Sequence, residues 1–160
     1  MQNHLKAIDL LQDWAKWLVG LDSAAIAAIG AFTTRSGYEL QTMSAATLAC
    51  GACATFLFLI SLAFANWLLL ALPGVVQRAS EQSSEDIFAQ GTYGGGGHRV
   101  VFFARGQHVF FLGGIVAVVA FVIAPQYPVL SWALLGVSLA GALSLAYEFV
   151  RNPARFKVPA

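Results

Sequence analysis

Charge is what this 160-residue chain has least of: Asp, Glu, Lys and Arg make up 11% of it, against roughly 25% in an ordinary soluble domain. No charged side chain occurs between Glu39 and Arg78, and between Arg105 and Glu148 the only titratable groups before Tyr147 are His108 and Tyr127. Such runs exclude water as the main solvent of the fold and make lipid the expected one. The net charge of +1 excludes the clustered Lys and Arg that a phosphate backbone requires, so nucleic acid is not an expected partner. Nor does the chain carry a readable catalytic constellation. No serine has an evident base and orienting acid, and the three histidines, His4, His98 and His108, lack metal-ligand spacing. The expectation is a protein that is not an enzyme, with no metal and no cofactor.

What is present is apolar. The hydrophobic fraction is 58% and the mean hydropathy +0.70. Four spans are expected, at about 17–34, 45–72, 107–124 and 129–149, forming an all-α, four-transmembrane-helix bundle that occupies 17–150. The apolar run Ala45 to Val76 would make about 48 Å of helix at 1.5 Å per residue, well beyond a hydrocarbon core of roughly 30 Å. Pro73 and Gly74 are therefore the expected stop. Gln126, Tyr127 and Pro128 leave room only for an antiparallel helix hairpin between the last two spans.

Orientation follows from the basic residues near span ends. Lys6, Lys16, Arg78, Arg99, Arg105, Arg151, Arg155 and Lys157 fall on one side and only Arg35 on the other. The expectation is a plasma membrane protein of the bacterial inner-membrane kind. Both termini, the 77–105 loop and the basic 151–160 tail are then cytoplasmic. Asp9, Asp13 and Asp22 interrupt any leader-like pattern, which argues against cleavage near Ala25, Ile26 and Ala27. Within residues 1–16, Leu5, Ile8, Leu11 and Ala15 recur at helical spacing. That reads either as a short amphipathic helix on the headgroups or as a helix that overshoots the bilayer. Trp14 and Trp17 suit an interfacial belt in both cases.

Polar residues within the spans are the sharpest functional clue. A carboxylate at a span centre costs about 2.5 to 3.5 kcal/mol on insertion scales, so it finds a partner or a wet cavity. Antiparallel folding brings Asp22, Asn66, His108 and Glu148 towards the cytoplasmic half, where they could form a polar layer that attracts a cation or passes a proton. The plainer alternative is that Asp22 bonds Ser23 or a neighbouring span while His108 sits at headgroup level. Small residues recur at four-residue spacing in Ala24 and Ala28, Ala27 and Ala31, Gly51 and Thr55, Gly113 and Ala117, and Gly136 and Ala140. Such spacing permits close helix contact within a chain or between copies.

Cys50, Gly51, Ala52 and Cys53 form a C-x-x-C near the extracytoplasmic end of the second span, a spacing used by thiol oxidoreductases. In this motif, the span count and the inferred orientation, the chain resembles the four-span membrane oxidases that pass electrons from thiols to quinone. The resemblance implies a redox role for Cys50 and Cys53. It also implies a second, extracytoplasmic cysteine pair, which a chain with two cysteines does not have. The plain alternative is a pair of small buried hydrophobes.

In the central loop, Ser83 and Asp86 match a capping pattern for a short helix over 86–89. Gly94 to Gly97 lack the strand, helix and Lys of a phosphate loop and read as a hinge. Arg78, Arg99, Arg105, Arg151, Arg155 and Lys157 are the expected contacts with anionic lipid, each worth on the order of 1 kcal/mol. The leading functional expectation is a homo-oligomer that conducts ions or perturbs the membrane. The alternatives are an accessory subunit packed against a larger membrane complex and, third, a thiol-redox protein.

Overall fold

The computed structural model describes residues 2–34, 43–81 and 99–153. They form four helices: α1 (Gln2–Thr34), α2 (Ala45–Glu81), α3 (Val100–Ile123) and α4 (Pro128–Arg151). Each holds a stretch long and apolar enough to cross a membrane. Few of the residues along these stretches are buried, 17% of the best window in α1 and 39% in α2, so the apolar side chains mostly face outwards. That is the inverse of a water-soluble bundle.

Local chemistry sets several helix ends. Ser44 precedes α2, and its hydroxyl oxygen accepts the Thr47 N–H at 3.1 Å, satisfying one otherwise orphaned donor of the first turn. Between α3 and α4 the Tyr127 N–H donates to the Ile123 carbonyl at 2.8 Å, and Pro128 opens α4, where its missing N–H costs nothing. The hairpin expected from Gln126, Tyr127 and Pro128 is therefore present.

Two boundaries differ from expectation. Pro73 does not stop α2, which continues to Glu81. Leu72 and Val75, on either side of the proline, are both buried with Ile8, Ala15, Val100 and Phe103, so packing holds the helix together where the ladder loses a donor. α3 starts at Val100 rather than near 107, because Val100, Phe103 and Ala104 belong to the same apolar cluster. Of the two readings of residues 1–16, the one with a continuous helix agrees with the fold, where the segment from Gln2 is the first half of an unbroken α1. Its apolar stripe is covered by α2 and α3 through Ile8 and Ala15, which removes the face that would have lain on headgroups. The 86–89 helix, the Gly94 to Gly97 run and the tail from residue 154 lie outside the described residues.

α2 and α3 form the central pair, with α1 packed chiefly on α2 and α4 chiefly on α3. Buried positions recur every seventh residue on three helices: Ile8, Ala15, Asp22 and Ile29 on α1; Ala54, Ser61, Leu68 and Val75 on α2; Val100, Gln107, Gly114 and Phe121 on α3. A seven-residue repeat is the signature of knobs-into-holes seams between nearly antiparallel helices. The seams hold two apolar clusters. One gathers Ile8, Ala15, Leu68, Leu72, Val75, Val100, Phe103 and Ala104. The other gathers Ile29, Cys50, Ala54, Phe58, Ala117 and Phe121 with their neighbours.

A buried polar layer as the candidate functional site

Between the two clusters the repeat places polar residues on all three helices. Asp22 falls between Ala15 and Ile29, Ser61 between Phe58 and Leu68, and Gln107 between Ala104 and Ala117. All three are 0% exposed. The Ser61 hydroxyl donates to the main-chain carbonyl of Gln107 at 3.2 Å, and the Gln107 Nε2 reaches the Ala15 carbonyl at 3.5 Å, so α1, α2 and α3 are tied at this level.

The ties leave acceptors over. Both carboxyl oxygens of Asp22 are buried without a hydrogen-bond partner among the described residues. The Gln107 Oε1 is in the same condition. Three buried oxygen acceptors without donors make an environment that favours a positively charged or proton-bearing guest, because an unpaired buried acceptor forfeits its hydration without compensation.

The four residues expected to form one layer are distributed over three places. Asp22 is in the interior, and Asn66 is exposed on α2. His108 and Glu148 share an open cleft of about 460 Å³ between α3 and α4 with Arg105 and Ser144. There the Arg105 Nη1 bonds Glu148 Oε2 at 2.9 Å across the two helices. Both side chains are about 41% exposed, so the pair fixes geometry more than it adds stability. His108 stacks on Trp14 with ring centroids 3.9 Å apart and has its Nδ1 2.7 Å from the Ala104 carbonyl, which calls for a proton on that nitrogen. One position separates His108 from Gln107, about 100° of helix, and that rotation takes it from the seam to the cleft.

Ser61 and Gln107 were not among the expected site residues. Neither disturbs an apolar run enough to stand out by polarity, and the signal that finds them is phase: they share the seven-residue register of the buried seam, as Asp22 does. Asn66 is more polar than Ser61 but lies out of that register.

The basic residues are less uniform than a lipid-contact set. Arg105 is engaged with Glu148, and Arg151 donates to the Tyr147 hydroxyl at 2.7 Å while lying 5.7 Å from that ring's centroid. Arg99 is half-buried immediately before α3. Arg155, Lys157 and the side chain of Arg78 lie outside the described residues.

Cys50 and Cys53 are both unpaired thiols. Cys50 is 0% exposed, with its Sγ 3.9 Å from the Ser131 carbonyl, and Cys53 is half-buried. N-ethylmaleimide is therefore expected to spare Cys50 in the folded protein and to modify it after denaturation, as read by mass spectrometry. Ready alkylation in the fold would contradict this packing.

Two further clefts flank α1 on the Thr34 side of Asp22. One, of about 580 Å³, opens between α1 and α2 over Ile29, Thr33, Gly51 and Phe121; the other, of about 180 Å³, opens between α1 and α3 over Ala25, Phe32 and Val118. The second half of α1 is flanked by these clefts with Ile29 buried in the second apolar cluster, whereas the first half is seated in the cluster of Ile8 and Ala15. No protein family, curated protein or solved structure matches this chain.

Proposed function

We propose that this chain is an integral protein of a bacterial inner membrane, with both termini cytoplasmic, that self-associates and conducts small cations. The observation that carries the reading is Asp22: a carboxyl that is 0% exposed, without a donor among the described residues, midway along a helix able to cross a bilayer. Ionisable groups at such depth mark ion or proton pathways by default, because their burial is otherwise a pure cost.

The layer is flanked by clefts: that of His108 opens between α3 and α4, on another face of the helix that carries Gln107, and two open beside α1 on the Thr34 side of Asp22. Large apolar side chains such as Trp17, Leu70, Val122, Val129 and Leu143 are exposed on the outer faces, where lipid tails would cover them.

Self-association draws on the outward small residues. Ala24, Ala27, Ala28 and Ala31 on α1 and Gly136 and Ala140 on α4 are exposed, and a Cβ added at Gly136 would meet nothing within 4 Å. Smooth faces of this kind let helices of separate copies approach closely in lipid. By contrast, Gly51, Gly113 and Ala117 are turned inwards and serve the bundle itself.

Particle imaging in nanodiscs, combined with reporter fusions at Met1 and Ala160, tests this reading. A symmetric oligomer with both reporters cytoplasmic is the expected result. Reporters on opposite faces would overturn the topology. A monomer that also leaves vesicles tight would overturn the conducting role and favour the accessory-subunit alternative.

A further inference from the structure

We propose that the cleft between α3 and α4 is a binding site for the headgroup of a zwitterionic phospholipid of the ethanolamine type, which carries a primary ammonium beside its phosphate. The site rests on the membrane placement proposed above and is independent of conduction. It lies where α3 begins and α4 ends, at the depth at which spans of this length meet lipid headgroups. The two helices are close at Gly113, where an added Cβ would stand 3.6 Å from the Ser138 carbonyl oxygen, and a volume of about 460 Å³ has opened between them by the level of His108 and Ser144. Pockets of that size hold small ligands. Gly141 on the cleft wall leaves room, since an added Cβ would reach only Val109, at 4.0 Å. The same helices carry exposed apolar side chains nearer their middles, Leu112 and Val137 among them, where acyl chains can lie.

Paired charges select the headgroup. Arg105 Nη1 bonds Glu148 Oε2 at 2.9 Å, and each side chain is about 41% exposed. Among the described residues this pair engages one N–H of a guanidinium that has several, and one oxygen of the carboxylate. Donors on Arg105 and an acceptor on Glu148 are therefore left side by side. A lone phosphate on Arg105 would meet the Glu148 carboxylate, and a lone cation on Glu148 would meet the guanidinium. A group that holds both charges on a short carbon link avoids both repulsions: its phosphate accepts from Arg105 while its ammonium donates to Glu148 Oε1. The rest of the wall favours an ammonium that bears N–H bonds. His108 has its Nδ1 2.7 Å from the Ala104 carbonyl, so the Nε2 of the neutral ring is an acceptor, and the Ser144 hydroxyl accepts as well. A choline headgroup has no N–H to offer these groups, and among the described residues the His108 imidazole is the one ring on the wall to receive a quaternary ammonium. An anionic glycerol headgroup leaves Glu148 unanswered.

Native mass spectrometry of the full chain, delipidated in mild detergent and offered phospholipids with identical acyl chains, tests the assignment. Retention of the ethanolamine lipid is expected to exceed that of the choline and glycerol lipids by roughly fivefold, the upper end of what a half-exposed ion pair contributes. Glu148→Gln should reverse the order, releasing Arg105 to prefer the anionic glycerol lipid, and Gly141→Leu should abolish the preference by filling the cleft. Equal retention of the three lipids by the wild type, a preference for the choline or the glycerol lipid, or a preference unchanged in either variant would overturn the proposal. Soluble glycerophosphoethanolamine retained as well as the lipid would overturn it too, by making a water-soluble molecule the ligand. If Glu148→Gln fails to fold, the wild-type ranking and Gly141→Leu still decide. An ethanolamine preference in a protein that leaves vesicles tight would keep this site and defeat the conducting role; flux without that preference would do the reverse.

Discussion

Asp22→Asn is expected to reduce cation flux through liposomes containing the protein by roughly tenfold or more, equivalent to at least about 1.4 kcal/mol of barrier, while leaving its melting temperature unchanged or higher. The two effects have one cause. Both carboxyl oxygens of Asp22 are buried without donors among the described residues, so the ionised group forfeits hydration and recovers nothing from the fold. Asparagine has the same shape and needs no neutralising ion. Exchanging a poorly satisfied buried charge for a neutral group of similar volume is often neutral or stabilising. A residue kept for stability would behave oppositely. Loss of thermal stability with flux intact would assign Asp22 to the architecture and remove it from the ion route.

The second large effect is expected at Gly114. Gly114→Leu should destabilise the bundle by about 3 kcal/mol or prevent recovery of a monodisperse protein, as read by a thermal melt in detergent. A Cβ added there would stand 2.7 Å from Phe58 Cε1, and Phe58 is itself 1% exposed, with nowhere to retreat. The same logic applies at Gly106, where an added Cβ would run into the Phe64 ring. Because these glycines lie on the α2 to α3 contact, they set how closely the two central helices approach. Gly136→Leu is the matched control. An added Cβ there meets nothing, so the fold should survive, and any consequence should appear in the oligomeric state. A Gly114→Leu protein as stable as the wild type would mean that α2 and α3 do not meet as described.

Asp22 also illustrates what is legible in the sequence alone. Four helices were legible because hydropathy accumulates over some twenty residues, and no single side chain can hide a run such as Ala45 to Val76. Asp22 was legible for the opposite reason, as one charge in an otherwise apolar stretch. Helix ends were harder. Pro73 carries a strong local stop signal, yet the seam through Leu68, Leu72 and Val75 continues across it and overrides that signal. Val100 to Ala104, bracketed by arginines, reads either as a surface segment or as an extension of the third helix, and the packing of Phe103 with Ile8 and Leu72 goes with the second.

The residues that share the buried layer with Asp22 were hidden by a different difficulty. Whether a polar side chain faces a seam or the outside depends on helix phase, and phase acquires meaning only when the neighbouring helices are known. Ser61 and Gln107 share the register of Leu68 and Val100, whereas Asn66 and His108 miss it by one or two positions. Polarity alone therefore selected Asn66 and His108, and register selects Ser61 and Gln107.

The most direct measurement is the behaviour of the unmodified protein in otherwise tight liposomes carrying a proton or potassium gradient. Dissipation that scales with the amount of protein and exceeds that of protein-free vesicles is the predicted result. Vesicles that hold both gradients as well with the protein as without it would contradict the conducting role.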